Sequence, residues 1–344
     1  MSHLRPRHAA AGTQFLDPAV LGRIGNLELL ARTVVDGFLT GLHRSPYLGF
    51  SMDFAEHRPY NPGDDIRRID WRLYARTDRH YIKLFEADTN ANFSVLLALS
   101  SSMRYGSHSL AKLDYARYLA ACLAYFSSKQ RDRVGLVTFD HEIVDYVPPS
   151  MKHLDTILHT LDRAEAGRPG SLEEPLLQIT ELLGRKGILV VISDFYEEPD
   201  AVLSAIAPLR ARGHDVIAFQ VMDPYELDFP FQEASGFEDL ETGEQIPVIP
   251  GKLRDDYLAM IRAHLGGLEK RFADNRIDYT LLDTSKPLDE ALFRYLLSRE
   301  KMSRTRGASP SSSRSSWSAS PESSSRSSCT SPAVSGATSC TSRR

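Results

Sequence analysis

From residue 93 onward the chain alternates short apolar runs with longer stretches in which apolar residues recur at helical spacing. The runs at 93–99, 133–139, 187–193, 214–221 and 277–282 predict buried strands, with a short further strand at 143–147. Gly187-Ile-Leu-Val-Val-Ile-Ser193 is apolar at every interior position, as a central strand covered on both faces must be. Helices are predicted at 110–127, 151–165 and 172–183, before residue 214, and at 253–274 and 288–299. Strands separated by helices imply right-handed crossovers and an open sheet. The predicted fold class is therefore α/β, a three-layer α/β/α Rossmann-like domain with a mostly parallel central sheet.

Two stretches break this rhythm. In the opening third, Asp17-Pro18 predicts a helix start, with Leu21, Ile24, Leu27, Leu30, Val34 and Leu39 on one face as far as Gly41. Residues 49–65 are dense in turn formers, and 67–86 mix charge with Trp71, Tyr74, Tyr81, Ile82, Leu84 and Phe85, which predicts extended strands. The second stretch, 223–250, is rich in proline and acid, and Glu241-Thr-Gly-Glu244 predicts a hairpin turn. It reads as an insertion beyond the C-terminal end of a strand, where α/β sheets build their sites. The organisation is thus 1–90, a helix and extended segment; 91–300, the α/β domain with its insertion at about 223–250; and 301–344, a tail.

Composition changes the picture at the tail. Of its last 42 residues 18 are serine, a composition expected to remain disordered. Six arginines against the single acid Glu322 make that segment basic, which leaves the body distinctly acidic although the whole chain carries only −4. An acidic body argues against nucleic acid as partner. With 42% hydrophobic and 25% charged residues the rest is ordinary globular chain. Cysteines at 122, 329 and 340 form no framework, and Cys122, inside an apolar run, is expected to be a buried free thiol. The N-terminus has no apolar stretch of a secretory signal, and no run approaches the ~20 residues of a membrane span. No membrane insertion and a cytoplasmic location are expected.

Glycine-rich phosphate loops and a Gly-x-Ser-x-Gly elbow are absent from the sequence, which weighs against dehydrogenase, nucleotide hydrolase and serine esterase activities. Two constellations remain. One apolar strand runs into Ser100-Ser101-Ser102-Met103, and another ends at Asp194, followed by Glu197 and Glu198. In a parallel sheet both loops open on the same edge, and hydroxyls with a carboxylate are the hard oxygen ligands of Mg²⁺. The same residues also suit helix capping, the serines near Leu110 and Asp194 at the next helix. In a third cluster Asp64, Asp65 and Asp70 face Arg58, Arg67, Arg68, Arg72 and Arg76. It reads as a salt-bridged knot around a buried Trp71, with acid catalysis as the alternative. His43, His57, His80, His141, His153, His159 and His214 show no ligand spacing.

Arg58-Pro-Tyr-Asn-Pro-Gly-Asp-Asp-Ile-Arg-Arg-Ile-Asp-Trp-Arg-Leu-Tyr-Ala-Arg-Thr77, followed by Lys83-Leu-Phe-Glu86, resembles the hallmark of the bacterial family called domain of unknown function 58, which is von Willebrand factor type A-like. Lys112-Leu-Asp-Tyr-Ala116, Asp132-Arg-Val-Gly-Leu136, Ile192-Ser-Asp-Phe195 and Phe237-Glu-Asp-Leu-Glu-Thr-Gly243 extend the resemblance over about residues 15–300. In such domains an Asp-x-Ser-x-Ser loop, a Thr and a further Asp hold a divalent cation that accepts an acidic side chain from a partner. The resemblance places Ser100 and Ser102 at the two serines, Asp194 at the last Asp and Ser171 at the Thr. The first Asp is replaced by Ala98, so the metal-ion-dependent adhesion site is degenerate and at most a weak Mg²⁺ site is expected, one that Ala98→Asp is expected to restore. The resemblance implies a non-catalytic protein-interaction module with no certain cofactor. Its implied partner is a MoxR-type AAA+ ATPase, in chaperone-like assembly or metal-cofactor insertion. The competing expectation is a metal-dependent hydrolase using Asp194 with Asp64, Asp65 and Asp70.

Overall fold

The structure, a computed structural model, describes residues 26–44, 56–60, 71–84, 91–233 and 235–307. Among the described residues four elements precede the main sheet: α1 (Leu27–Arg44), β1 (Glu56–Pro59), α2 (Trp71–Thr77) and β2 (Tyr81–Leu84), with β1 and β2 paired antiparallel. Then follow β3 (Asn92–Ala98), α3 (Lys112–Lys129), β4 (Arg133–Phe139), β5 (Ile143–Ser150), α4 (Leu154–Arg163) and α5 (Glu173–Leu182). The chain continues through β6 (Gly187–Ser193), α6 (Pro199–Ala211), β7 (Asp215–Met222), α7 (Pro224–Asp228), the hairpin β8 (Ser235–Glu238) and β9 (Gln245–Val248), α8 (Pro250–Asp274), β10 (Asp278–Asp283) and α9 (Leu288–Gly307). The main sheet has six strands in the order β10-β7-β6-β3-β4-β5, all parallel except β5, which runs antiparallel to β4. The chain builds outward from β3 through β4 and β5, then returns to the other side of β3 for β6, β7 and β10.

Strand residues alternate faces, and each face has its own helices. Phe93, Val95 and Leu97 of β3 pack in one cluster with α1, α3, α4 and α9. Leu96 and Ala98 pack in the other with α5, α6 and α8. The layers are therefore α/β/α, as expected. Helix α3 lies deep in the first layer, so Ala120, Ala121, Cys122, Leu123 and Ala124 are all buried. Burial pushes the Cys122 thiol well above its ordinary range.

Two expectations in the N-terminal segment need correction. Residues 71–77 form a helix where extended chain was expected. Leu, Ala and Arg favour that state, Trp71 meets Tyr74 edge-to-face at 6.1 Å one turn on, and the Thr77 hydroxyl donates to the Leu73 carbonyl (2.9 Å). Trp71 itself is 56% exposed and cannot be the buried centre of a charged knot. Asp64, Asp65, Asp70, Arg67 and Arg68 lie outside the described residues, as do the start of the first predicted helix and the tail beyond 307. Trp71→Ala is accordingly expected to change the free energy of unfolding by no more than about 0.5 kcal/mol in a urea titration. A loss of about 3 kcal/mol, typical of a buried ring, would overturn the exposed placement.

Candidate functional site

Strand order reverses at β3, and a cavity of about 830 Å³ opens there, lined by Ala98, Phe139 and Ser193 at the C-terminal ends of β3, β4 and β6. Open α/β sheets characteristically bind ligands at this point. The 223–250 insertion forms the outer wall. Its Phe229 ring lies 5.1 Å from Phe231, 5.8 Å from Phe237 and 4.6 Å from Tyr257 of α8, so the wall is a packed aromatic cluster. Phe229 and Phe195 both adopt left-handed backbone (φ 45° and 48°), which strains bulky residues and is concentrated at functional sites.

Ser100, Ser102, Ser171 and Asp194 all line this cavity. They do not cap the two helices in question, since the N-cap of α3 is Ala111 and that of α6 is Glu198; Ser100 precedes a single 3-10 turn, Ser101–Arg104, without a side-chain capping bond. The Ser100 and Ser102 hydroxyls lie 3.0 Å apart, bonded to each other. Their loop is joined to the one before α5 by the Ser101 N–H, which donates to the Arg168 carbonyl (2.9 Å). Gly170 permits the approach, because a Cβ there would fall 2.4 Å from the Ser100 Cβ. Two backbone amides from these loops then meet one carboxylate. Ser102 N–H donates to Glu241 Oε1 (2.7 Å), and Gly170 N–H donates to Glu241 Oε2 (2.9 Å).

Asp194 faces a different group. Lys112, the first residue of α3, is completely buried, and its ammonium donates to Asp194 Oδ2 and to Glu226 Oε1, each at 2.9 Å. It also lies 4.6 Å from the centre of the Tyr196 ring. Burial alone would depress the ammonium, but the two carboxylates outweigh it and hold Lys112 above its ordinary value. Both acids are fixed in turn. Glu226 Oε2 accepts from the Asp223 N–H (2.9 Å) in the capping box of α7, and the Asp194 carbonyl accepts from Gln220 Nε2 (2.7 Å). Glu197 accepts from the Leu172 N–H (2.8 Å), and burial pushes its carboxyl up against the pull of that bond.

These residues do not fit a divalent cation. A Mg²⁺ ion needs carboxylates free to face it, whereas Asp194 is turned to an ammonium, Glu241 to backbone amides and the serines to each other. Among the described residues no three His, Cys, Asp or Glu side chains group as a metal site. The expectation that Ala98→Asp alone restores Mg²⁺ binding is therefore revised. The Lys112 charge stays beside Asp194 in that variant, and calorimetric titration at millimolar Mg²⁺ is expected to show no binding. Heat of binding would overturn this. Sequence reasoning missed Lys112, Glu226 and Glu241 as site residues. One signal was available: a lysine opening a helix stands at the positive end of its dipole, the unfavourable end for a cation.

An uncharacterized protein of Mycobacterium bovis and one of Mycobacterium tuberculosis are each 28% identical over 294 residues, covering 83% of this chain and 91% of theirs. Among solved structures, the conserved hypothetical protein BatB from Bacteroides thetaiotaomicron is 16% identical with a TM-score of 0.44, over 63% of this chain and 99% of that one. Pilus adhesin SpaC from Lactobacillus rhamnosus GG is 12% identical with a TM-score of 0.36, over 61% of this chain and 30% of that one. Residues 56–265 match the family described as "Protein of unknown function DUF58", and with well over half of its length so matched the chain belongs to that family.

Proposed function

We propose that the protein is a non-catalytic binding module that uses the cavity at the end of β3 to hold a protein partner in the cytoplasm. The partner implied by the family resemblance is a MoxR-type AAA+ ATPase, and the shared task is chaperone-like assembly or metal-cofactor insertion. The observation that carries the reading is the state of the cavity's ionisable groups. Lys112 is bound to Asp194 and Glu226, Glu241 to two amides and Glu197 to a third. Tyr105 and Tyr257, through burial and then neighbouring acids, are pushed up to about 12 and stay neutral donors. Groups engaged in this way position a surface, whereas acid–base chemistry needs a proton acceptor poised near neutral pH and open to substrate. The test is capture of a purified MoxR-type ATPase by the immobilised full-length chain, with and without ATP and Mg²⁺. Retention that depends on nucleotide is expected, weakened by Tyr225→Ala on the cavity rim. Absence of retention in either state would remove this partner from the reading.

A further inference from the structure

A second cavity lies at the opposite edge of the sheet, beside the first residues of β3, β4 and β6 and the last turn of α5. Its volume is about 230 Å³, and its walls include Asn92, Ser94, Arg133, Arg185 and His214. No acidic side chain is among the described residues that line it, although the body of the chain is acidic. Space of this size falls below the roughly 300–1,000 Å³ of drug-sized ligand sites and suits a small ion or a single functional group. His214 is 2% exposed, and its Nδ1 has no hydrogen-bond partner among the described residues. The residue is anchored through its backbone: its carbonyl accepts from Arg210 Nη1 (2.8 Å) and its N–H donates to the Leu209 carbonyl (3.3 Å). The turn before it depends on Gly213, at φ 87°, where an added Cβ would also come within 2.9 Å of Lys186 Cε. A buried ring nitrogen held in place without a partner costs free energy that a bound group can return.

The charges around the ring point to the kind of group. Burial first, then Arg212 and Lys186, hold the imidazole below its ordinary value, against the opposing pulls of Asp215 and the Leu183 backbone. Two of these neighbours are engaged elsewhere, Asp215 with Arg210 (2.9 Å) and Arg212 with the Thr180 carbonyl. We propose that this cavity binds a small tetrahedral oxyanion of the phosphate class, held by the Arg133 and Arg185 guanidiniums and by His214, which takes up a proton from solvent as the anion enters. Guanidinium forks match such oxyanions with parallel N–H bonds. An anion beside the ring favours its charged form, and Nδ1 then has an N–H to donate to an anion oxygen. Proton uptake and anion binding therefore strengthen each other, and affinity rises as pH falls. Tyr146 and Leu182 on the same wall are exposed and give an organic substituent apolar surface, so free phosphate and a phosphomonoester share this chemistry. The length of β3 and β6 separates the site from the cavity at their C-terminal ends, and it does not depend on the partner proposed there.

Sulfate is the first probe, because its charge is constant between about pH 5.5 and 7.5. Titrated calorimetrically into the full-length chain at fixed ionic strength, it is expected to bind about tenfold more tightly at the lower pH, the effect of a one-unit shift in the ring. Nitrogen NMR should show His214 titrating at higher pH when sulfate is present. Arg185→Gln, at an exposed position on the rim, should weaken binding about fivefold at both pH values. Arg254→Gln, in α8 and bonded to the Asp228 carbonyl, should leave it unchanged. His214→Gln should bind weakly and equally at both pH values; if that buried substitution unfolds the chain, the NMR titration of the natural protein decides. Phosphate and phenyl phosphate complete the set, and the tighter of the two assigns the site to the free ion or to an ester. No saturable sulfate binding, pH-independent affinity in the natural protein, a His214 signal unmoved by sulfate, or full affinity in Arg185→Gln would each overturn the proposal.

Discussion

Lys112→Met is expected to lower the free energy of unfolding by about 3–5 kcal/mol, the usual cost of leaving buried charge without its partner. The lysine is fully buried between Asp194 and Glu226, so the variant keeps two carboxylates in a dry site with no cation between them. Combining Lys112→Met with Asp194→Asn and Glu226→Gln should recover most of the loss, since a neutral set of similar volume removes the uncompensated charge. Urea unfolding of the three proteins measures this, and a single-variant loss under about 1 kcal/mol, the range of exposed pairs, would overturn the buried placement. The pH dependence has a definite sign. Lys112 is held above its ordinary value in the folded protein, so its stabilisation is complete below the unfolded-state value of about 10.4 and is lost as pH rises through the higher folded-state value. The natural protein should therefore keep its advantage over Lys112→Met through neutral pH and surrender it only in strong alkali.

The second large effect is expected at the other end of the chain. Tyr295 in α9 is completely buried, 5.7 Å from the Phe93 ring and 5.9 Å from the Phe126 ring, with its hydroxyl 3.0 Å from that of Ser127. Tyr295→Ala should cost about 3–5 kcal/mol, as truncation of a large core ring does. Tyr295→Phe, which loses only the hydroxyl bond, should cost about 1 kcal/mol. The contrast separates packing from hydrogen bonding and can be read from thermal unfolding. It also bears on the extent of the domain, because α9 lies beyond residues 56–265, where the family match ends. A near-neutral Tyr295→Ala would mean that α9 is dispensable to the core.

Where a residue's surroundings are local, the sequence was a good guide. The runs at 133–139 and 187–193 become strands with those limits, and the Glu241–Glu244 turn joins β8 to β9. Apolar strands carry their burial on their own side chains, and a turn carries its geometry in its own glycine. The convergence of Ser100, Ser102 and Asp194 was also legible, because parallel strands present their C-terminal loops on one edge. What those residues bond to was not. The partners of Lys112 lie 82 and 114 positions away, and Glu241 reaches back 139 positions to Ser102. No periodicity records such pairings, which depend on how three loops stack after the sheet has formed. The exposed Trp71 failed for a related reason: large aromatic rings are usually covered, but a short helix that sets Trp71 and Tyr74 among arginines leaves the Trp71 ring at the surface.

A cation that belongs to the chain behaves unlike one borrowed from solution. The ammonium beside Asp194 is present at one per molecule, does not exchange and cannot be extracted by a chelator. The recognition proposed for this cavity should then be indifferent to EDTA and to the swings in free Mg²⁺ that accompany ATP turnover. Any magnesium requirement in capture of the proposed ATPase partner would then belong to the nucleotide on that partner, because the buried ammonium of this cavity is already held by Asp194 and Glu226.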